Sequence, residues 1–357
     1  MSQTLEWQRV TDHFTRAATN AVGSITSRQR VLVRATLAGR AGYGEACPPL
    51  TRGSDDLTAV EAALTTARAR GLPALNAEPA NLGSVLAGPH FDLPSPSARF
   101  ALQTAYLDAL GQALGQPCAN LLCCGLAPAR AMPRLLTTAA LVDVLGPAAE
   151  AEALRAVERG ARTLKLKLGP STLPAVERVR TRVGEGVRLR LDANQSFSGA
   201  DLHLTLARLA RSNPEFVEEL APWEQLCALG RSPVALALDE TLTHEGFALR
   251  ELSAEAALRL EVVVLKPSLL GGFDRAAALA AQAEDLGLDV VVSHAYEGEV
   301  GWSALVALAF AIGSPARAQG LGPHVGLAPR SGGLGAGDLL PPAGTGLGLA
   351  AAPERRA

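Results

Sequence analysis

The chain is 357 residues long, 48% hydrophobic and 19% charged, with a formal net charge of −2 at pH 7. That length accommodates one large folded domain and a smaller one, and a near-neutral balance without basic runs argues against nucleic acid as a partner. The longest charge-free apolar run, 300 to 313, is too short to span a bilayer, and the first ten residues lack the apolar core of a signal peptide, so no membrane partner and a cytoplasmic location are expected. Five cysteines, Cys47, Cys118, Cys123, Cys124 and Cys227, form an odd set without a C-x-x-C pair. Neither a disulfide framework nor a zinc cluster is indicated, and buried free thiols are expected.

Residues 28 to 46 alternate Val31, Val33 and Ala35 against Leu32, Arg34 and Thr36 and turn at Gly39, the pattern of an antiparallel hairpin. Helices are predicted over about 55 to 70 and 96 to 114. The second carries Phe100, Ala101, Thr104, Ala105, Leu107 and Leu110 at three- and four-residue spacing and stops at Gly115. Residues 1–125 therefore read as an α+β unit.

From Met132 onward, short β-rich runs alternate with Ala/Leu/Arg-rich helical stretches. The runs lie at 135–142, 163–168, 187–192, 215–220, 234–239, 261–266, 289–294 and 318–322. Asp143, Lys167, Asp192, Glu218, Asp239, Lys266 and His294 close the first seven, with Gly322 in the eighth place, at intervals of 24, 25, 26, 21, 27, 28 and 28 residues. A βα unit of ~25 residues repeated eight times is the arithmetic of a TIM-type (β/α) barrel, an α/β fold whose active sites lie at the C-terminal strand ends. The rival, an open doubly wound sheet, would be expected to carry a Gly-rich phosphate turn after its first strand, and none is present. The barrel is assigned to 126–324. The Gly/Pro-rich continuation is expected to complete the α+β unit over about 325–345, with 342–357 as a flexible tail.

The stretch 162–169 alternates charged and apolar residues, so Lys165 and Lys167 project to one face and Leu164, Leu166 and Leu168 to the other. Alone, this reads as a strand with a solvated lysine face. The chain has 30 arginines, however, and only three lysines, Lys165, Lys167 and Lys266. Lysine can lose a proton near neutral pH and arginine cannot, which is what a general base requires. Asp192, Glu218 and Asp239 end three consecutive runs and fall on one arc of a barrel mouth. Each has a plainer reading as a helix cap or loop turn. Together they repel unless a cation or proton neutralises them, and an all-oxygen set with room for water suits Mg²⁺ or Mn²⁺ better than zinc. The lysines flank that arc, and neighbouring ammoniums with a dication are expected to lower the pKa of one lysine towards that of a usable base. The chemistry that suits the arrangement is proton removal α to a carboxylate, which makes a small-molecule carboxylate the expected substrate.

Lys165-x-Lys167, the Arg190–Asn194 segment (RLDAN), Val217-Glu218-Glu219, Leu238-Asp239-Glu240-Thr241 and the 264–272 segment (VLKPSLLGG) resemble the enolase superfamily, muconate lactonizing enzyme subgroup. Residues 42–46 are similar to its capping-domain hairpin and 99–110 to the helix leading into its barrel, with Gln103 standing where that family commonly has Glu. The resemblance implies Mg²⁺ on Asp192, Glu218 and Asp239, Lys167 as the base, Lys165 as its electrostatic partner and Lys266 on the opposite face. Arg190 and Asn194 lie two residues either side of Asp192 and are expected to face the same interior. Ser293, His294, Glu297 and Gly322 complete the expected substrate contacts, with His294 open to reading as a backbone-bonded loop residue. Segments 265–272 and 290–298 are most similar to the o-succinylbenzoate synthase branch, dehydratases of menaquinone biosynthesis. N-succinylamino acid racemases, dipeptide epimerases and cycloisomerases share the constellation. The epimerases typically carry Asp-x-Asp near the end of the eighth strand, where this chain has Gly320 to His324 (GLGPH), while Glu297 resembles a seventh-strand glutamate of the cycloisomerases. A barrel that only binds a dicarboxylate is the reading from another class.

Overall fold

The computed structural model describes residues 3–20, 23–49, 55–142, 148–199, 201–244, 247–252, 259–324 and 337–349. The chain opens with an antiparallel three-stranded sheet, β1 (Thr4–Asn20), β2 (Gly23–Leu37) and β3 (Arg40–Ala46). The expected hairpin is β2–β3. Leu37 pairs with Arg40, and Ala38 and Gly39 both take positive φ, 48° and 80°, the two-residue turn whose twist matches its flanking strands. Sequence reading misses β1, because only Leu5 and Val10 are buried among its first residues and no apolar alternation marks it.

Helices α1 (Leu57–Arg70), α2 (Leu82–Leu86), α3 (Pro96–Leu114) and α4 (Cys118–Leu126) follow. Ser95 caps α3 by accepting from the Ala98 N–H, and Gly115 ends it in the left-handed conformation at φ 66°. Helix α3 is buried on nearly every side because it lies between the sheet and the rest of the molecule. A Cβ on Gly44 would stand 1.9 Å from the Ala101 carbonyl oxygen, so sheet and helix backbones touch there. On the other side, Arg99 and Gln103 both reach the Asp274 carboxylate, at 2.7 and 2.8 Å.

The second unit contains β4 (Leu136–Thr137), β5 (Ala140–Val142), α5 (Ala148–Glu158), β6 (Thr163–Lys167), α6 (Leu173–Val183), β7 (Arg188–Asp192), α7 (Leu202–Ala210) and β8 (Phe216–Glu218). It continues through α8 (Trp223–Cys227), β9 (Leu236–Leu238), β10 (Leu260–Leu265), α9 (Pro267–Leu270), α10 (Phe273–Asp285), β11 (Asp289–Val292), α11 (Glu299–Ile312) and β12 (Asp338–Leu339). Strands β5 to β11 form one seven-stranded parallel sheet in chain order. Its outer face, with Leu164, Leu166, Leu189, Leu191, Val217 and Leu236, packs against the helices. Phe216, Ala235, Ala237, Val262, Val264 and Val291 form a separate inner core.

Two of the eight predicted runs depart from simple strands. The first splits, with β4 pairing antiparallel to β12 and β5 joining the sheet. The last, 318–322, makes single bridges only, from Gln319 to Thr138 and from Gly320 to Ser293, which lie at opposite edges of the seven-stranded sheet. Asp143 lies outside the described residues, as do 325–336 of the segment expected to complete the first unit. Contacts with that unit are made at 346 and 347. Gly346 bridges Pro117, its N–H donating to Gln116 at 2.9 Å, and the Leu347 N–H donates to Asp108 at 2.9 Å. The flexible tail expected from 342 is thus corrected for 345–347, where backbone groups are tied to α3 and the start of α4. Cys47, Cys118 and Cys123 are buried as expected, whereas Cys124 and Cys227 are exposed. Among the described residues no helix is long and apolar enough to cross a membrane.

Candidate active site

The parallel register brings the predicted residues together. Lys167 pairs with Asp192 across β6–β7, and Asp192 with Glu218 across β7–β8; Asp239 and Lys266 directly follow β9 and β10. Alternation along each strand puts all of them on the inner face. The Lys165 ammonium lies 2.9 Å from Asp192 Oδ2 and donates to Glu218 Oε1 at 2.8 Å. Lys167 donates to Asp192 Oδ2 at 2.8 Å and to Asn194 Oδ1 at 2.7 Å, while Lys266 is hydrogen-bonded to Asp239 Oδ2. Asn194 Nδ2 in turn donates to Glu240 Oε1 at 2.7 Å, tying the end of β7 to the residue after Asp239.

Burial opposes the charge on Lys165, but Asp192 and Glu218 outweigh it and raise its pKa above the usual lysine value. Burial likewise opposes Lys266, and Asp239, Glu240 and Glu218 raise it well above the usual value. The one lysine expected to be lowered is therefore neither of these two: carboxylates accept directly from both ammoniums and dominate the neighbouring positive charges. Asp192 is moved below the usual carboxylate range, burial being overcome by Lys165, Lys167 and Lys266. Asp239 is pushed up by burial, with Lys266 opposing and Glu240 and Glu218 adding.

Whether these residues suit a divalent cation can be judged from their own chemistry. Among the described residues no three His, Cys, Asp or Glu side chains already converge as a metal-binding group. Lys165 instead bridges two of the three predicted ligands. Yet Asp192 Oδ1 and Glu240 Oε2 are buried oxygens with no hydrogen-bond partner. Four carboxylates, Asp192, Glu218, Asp239 and Glu240, also stand against three ammoniums. A buried all-oxygen set with an unpartnered carboxylate atom fits a hard cation.

The remaining predicted residues divide. Arg190 is inside the sheet but turns to the other end of the strands: Nε donates to Glu215 at 2.6 Å, another nitrogen to the Ala318 carbonyl, and the guanidinium lies 4.7 Å from the centre of the Phe216 ring. That is a correction to its assignment as a substrate contact, since Glu215 precedes β8 whereas Glu218 ends it. The Ser293 hydroxyl donates to the Gly320 carbonyl at 3.2 Å and so links the 318–322 run to the end of β11. Gly322 is buried, and a Cβ there would stand 2.3 Å from the Ala139 carbonyl oxygen, which makes its place one of backbone packing. Glu297 is wholly buried and accepts from Ser268 and from the Ala295 N–H, leaving it in the wall behind the mouth. Burial pushes its carboxyl up. His294 is half-buried beside His324, with ring centres 4.3 Å apart.

Sequence reading names Glu219 only as part of the Val217-Glu218-Glu219 motif. Its φ of 44° breaks strand alternation and turns its buried carboxylate towards the next loop. There it accepts from the N–H groups of Asp239 and Thr241 at 2.8 and 2.9 Å, the Thr241 hydroxyl at 2.9 Å and Gln195 Nε2 at 2.8 Å. Consecutive acids at the ends of two successive strands, Glu218-Glu219 and Asp239-Glu240, are the only sequence signal of this arrangement.

A parallel sheet with helices on its outer face and paired lysines and carboxylates at its strand ends defines an α/β protein of the enolase type. The family model for the enolase C-terminal domain-like family matches residues 148–355, and the chain belongs to that family. It is 26% identical over 322 residues to the L-Ala-D/L-Glu epimerase of Bacillus subtilis, covering 84% of this chain and 82% of that one. To an o-succinylbenzoate synthase of Thermobifida fusca it is 38% identical over 183 residues, 48% of this chain and 55% of the relative. Among solved structures, a dipeptide epimerase from Methylococcus capsulatus complexed with Mg and the dipeptide L-Arg-D-Lys superposes with a TM-score of 0.78 at 26% identity, covering 96% of this chain and 98% of that chain.

Proposed function

We propose that the protein is an o-succinylbenzoate synthase, a Mg²⁺-dependent dehydratase converting 2-succinyl-6-hydroxy-2,4-cyclohexadiene-1-carboxylate to o-succinylbenzoate. The observation that carries the reading is Lys167 held by Asp192 and Asn194 on one flank of the carboxylate arc, with Lys266 on the other. The same-branch likeness of residues 265–272 and 290–298 supports it, as does the synthase match over half the chain. In this reading the bridges at Gln319 and Gly320 close the seven strands into a complete (β/α) barrel, capped by the α+β unit of residues 1–125.

Asp192, Glu218 and Asp239 would hold Mg²⁺, which when bound supplies positive charge to the substrate carboxylate as its α-proton leaves. Lys167, in its unprotonated form, takes that proton. The electron pair forms the new C=C bond as the hydroxyl departs from the same face, and Lys167 returns the proton so that water leaves. Lys266, raised by its carboxylate neighbours, stays an ammonium and steadies the developing negative charge from the opposite flank. Lys165 spans Asp192 and Glu218 and offsets the repulsion between the two acids side by side.

Racemisation of N-succinylamino acids is the second reading, favoured by the lysines on both flanks and by a match of 27% identity over 60% of the chain to an N-succinyl-L-Arg/Lys racemase of Bacillus cereus. Dipeptide epimerisation is less well supported, because Gly320 to His324 contains no carboxylate for a dipeptide ammonium. The test is to assay dehydration and N-succinylamino acid racemisation on one preparation, with Mg²⁺ and with chelator. Faster racemisation than dehydration would overturn the dehydratase reading; binding without either reaction would leave only a dicarboxylate-binding barrel.

A further inference from the structure

Lys266 stands at the head of the short helix α9, and the far end of that helix is gripped by the first unit. The Lys266 carbonyl accepts from the N–H groups of Leu269 and Leu270 at 2.9 and 3.0 Å, so its backbone is part of the first turn. The N–H groups of Gly271 and Gly272 donate to the Pro267 carbonyl at 3.0 and 2.8 Å, which closes the turn and delivers the chain to α10 at Phe273. Ser268 holds the middle of the turn by donating to Glu297. Its end, at 271–273, belongs to α3.

Two α3 side chains meet there. Arg99 donates to the Gly271 carbonyl and, through both terminal nitrogens, to the Asp274 carboxylate at 2.7 and 2.8 Å. Gln103 is wholly buried; its Oε1 accepts from the Phe273 N–H at 2.8 Å, and its Nε2 donates to Asp274 Oδ1 at 2.8 Å and to the Leu86 carbonyl at 2.9 Å. The Phe273 N–H is a first-turn donor that α10 itself cannot satisfy, and Gly272, which precedes it, has no side chain to do so. Gln103 thus supplies a helix cap from the other unit. A Cβ on Gly272 would overlap Gln103 Oε1, so the amide lies directly against the turn. One donor and two acceptors around it are satisfied by an amide in a single orientation, and an ionised carboxylate could not replace it.

We infer that Gln103 is a positioning residue for Lys266, acting through α9. The inference rests on the reading of Lys266 as the cation that steadies charge developing on the substrate. The lysine stem is long and flexible, so the place of its ammonium beside Asp239 depends on a fixed backbone at its root. Gln103 and Arg99 fix that root by holding the opposite end of a single helical turn. A displacement of about 1 Å at such a group can cost on the order of 10²-fold in rate.

Two measurements on the full chain test it. The three lysines give three side-chain ammonium signals in ζ-¹⁵N-lysine spectra, identified by replacing each lysine in turn with arginine. In Gln103→Leu, which keeps the bulk and removes every polar contact, the Lys266 signal should move while those of Lys165 and Lys167, carried by β6, stay in place. An unmoved Lys266 signal, or equal movement of all three, overturns the inference. In turnover assays Gln103→Leu should lower kcat by about 10- to 100-fold with KM near that of the wild type, because charge is lost from the transition state and not from the ground state. Arg180→Leu is the control: that buried arginine ties the end of α6 to the carbonyls of Ser212, Gly184 and Val187, and its loss should lower stability without lowering kcat. An equal fall in kcat in both variants assigns the effect to loosened packing and overturns the inference. Should Gln103→Leu not fold, Asp274→Ala releases the same bracket from its half-open side and carries the same expectations and refutations. If the wild type turns over neither the cyclohexadiene nor an N-succinylamino acid, the proposed function fails, and the spectra alone decide whether Gln103 places Lys266.

Discussion

Removing the Glu219 carboxylate tests how the mouth is held together. Its oxygens satisfy two backbone N–H groups, a hydroxyl and an amide; Glu219 and Thr241 are wholly buried and Asp239 nearly so. In Glu219→Ala the N–H groups of Asp239 and Thr241 lose their acceptor with little access to water. At ~1–3 kcal/mol for each orphaned buried donor, the cost is ~2–6 kcal/mol, a large share of the ~5–15 kcal/mol that holds a typical domain folded. Glu219→Gln keeps one acceptor oxygen for both N–H groups but turns its NH₂ towards the donating amide of Gln195, a single mismatch costing ~1–3 kcal/mol. Burial already pushes the Glu219 carboxyl above its usual range, so losing its charge adds little. Urea unfolding in chelator, followed by circular dichroism, should rank wild type above Gln above Ala. Mg²⁺-dependent turnover per folded molecule should fall most in Ala, because Asp239 and Glu240 ride on the freed backbone. An Ala variant within about 1 kcal/mol of wild type would refute the claim that Glu219 organises this loop.

Lys167→Arg keeps a cation within reach of Asp192 yet cannot be deprotonated, so a folded variant should lose at least ~10²-fold in kcat, the lower end for general-base assistance; retention of a tenth of wild-type turnover moves the base elsewhere. The depressed Asp192 carboxyl contributes stability above its unfolded pKa, and that contribution is lost as pH falls through the folded value. In metal-free buffer, the stability difference between wild type and Asp192→Asn should therefore stay level from pH 7 to about 5 and shrink only in stronger acid; shrinkage beginning near pH 6 would contradict the assignment.

Strand period and repeat spacing carried much of the site. A two-residue period in 163–168 puts Lys165 and Lys167 on one face, and the near-regular interval between polar residues aligns Asp192, Glu218, Asp239 and Lys266 at successive strand ends. The sign of the Lys165 and Lys266 shifts was not legible, because it is set by contacts between residues 27 to 53 positions apart, such as Lys266 to Asp239 and Lys165 to Glu218. Glu219 escaped because a positive φ cancels the alternation used to read its neighbours. The ties from Arg28 to Ala295 and Glu45 to Gly298 join segments more than 250 residues apart and leave no local pattern.

Arg190 marks the limit of alternation most clearly: the period says that the side chain points inward, but not towards which end of the strand a long flexible side chain bends. Here it bends towards Glu215, which also accepts from Arg317 at 3.2 Å, so the guanidinium joins an ion network at the end of the strands remote from the lysines. Arg190→Met removes that charge while filling similar apolar space over Phe216. Breaking one partner of a buried pair costs ~3–5 kcal/mol, and the remaining Arg317 contact places this case at the lower end, about 3 kcal/mol. Turnover of the folded variant should keep its wild-type kcat and KM, since nothing at the mouth has moved. A KM raised about tenfold with unchanged unfolding energy would restore Arg190 to the substrate contacts, because a residue binding the ground state would be lost from KM and one holding the strands together from stability.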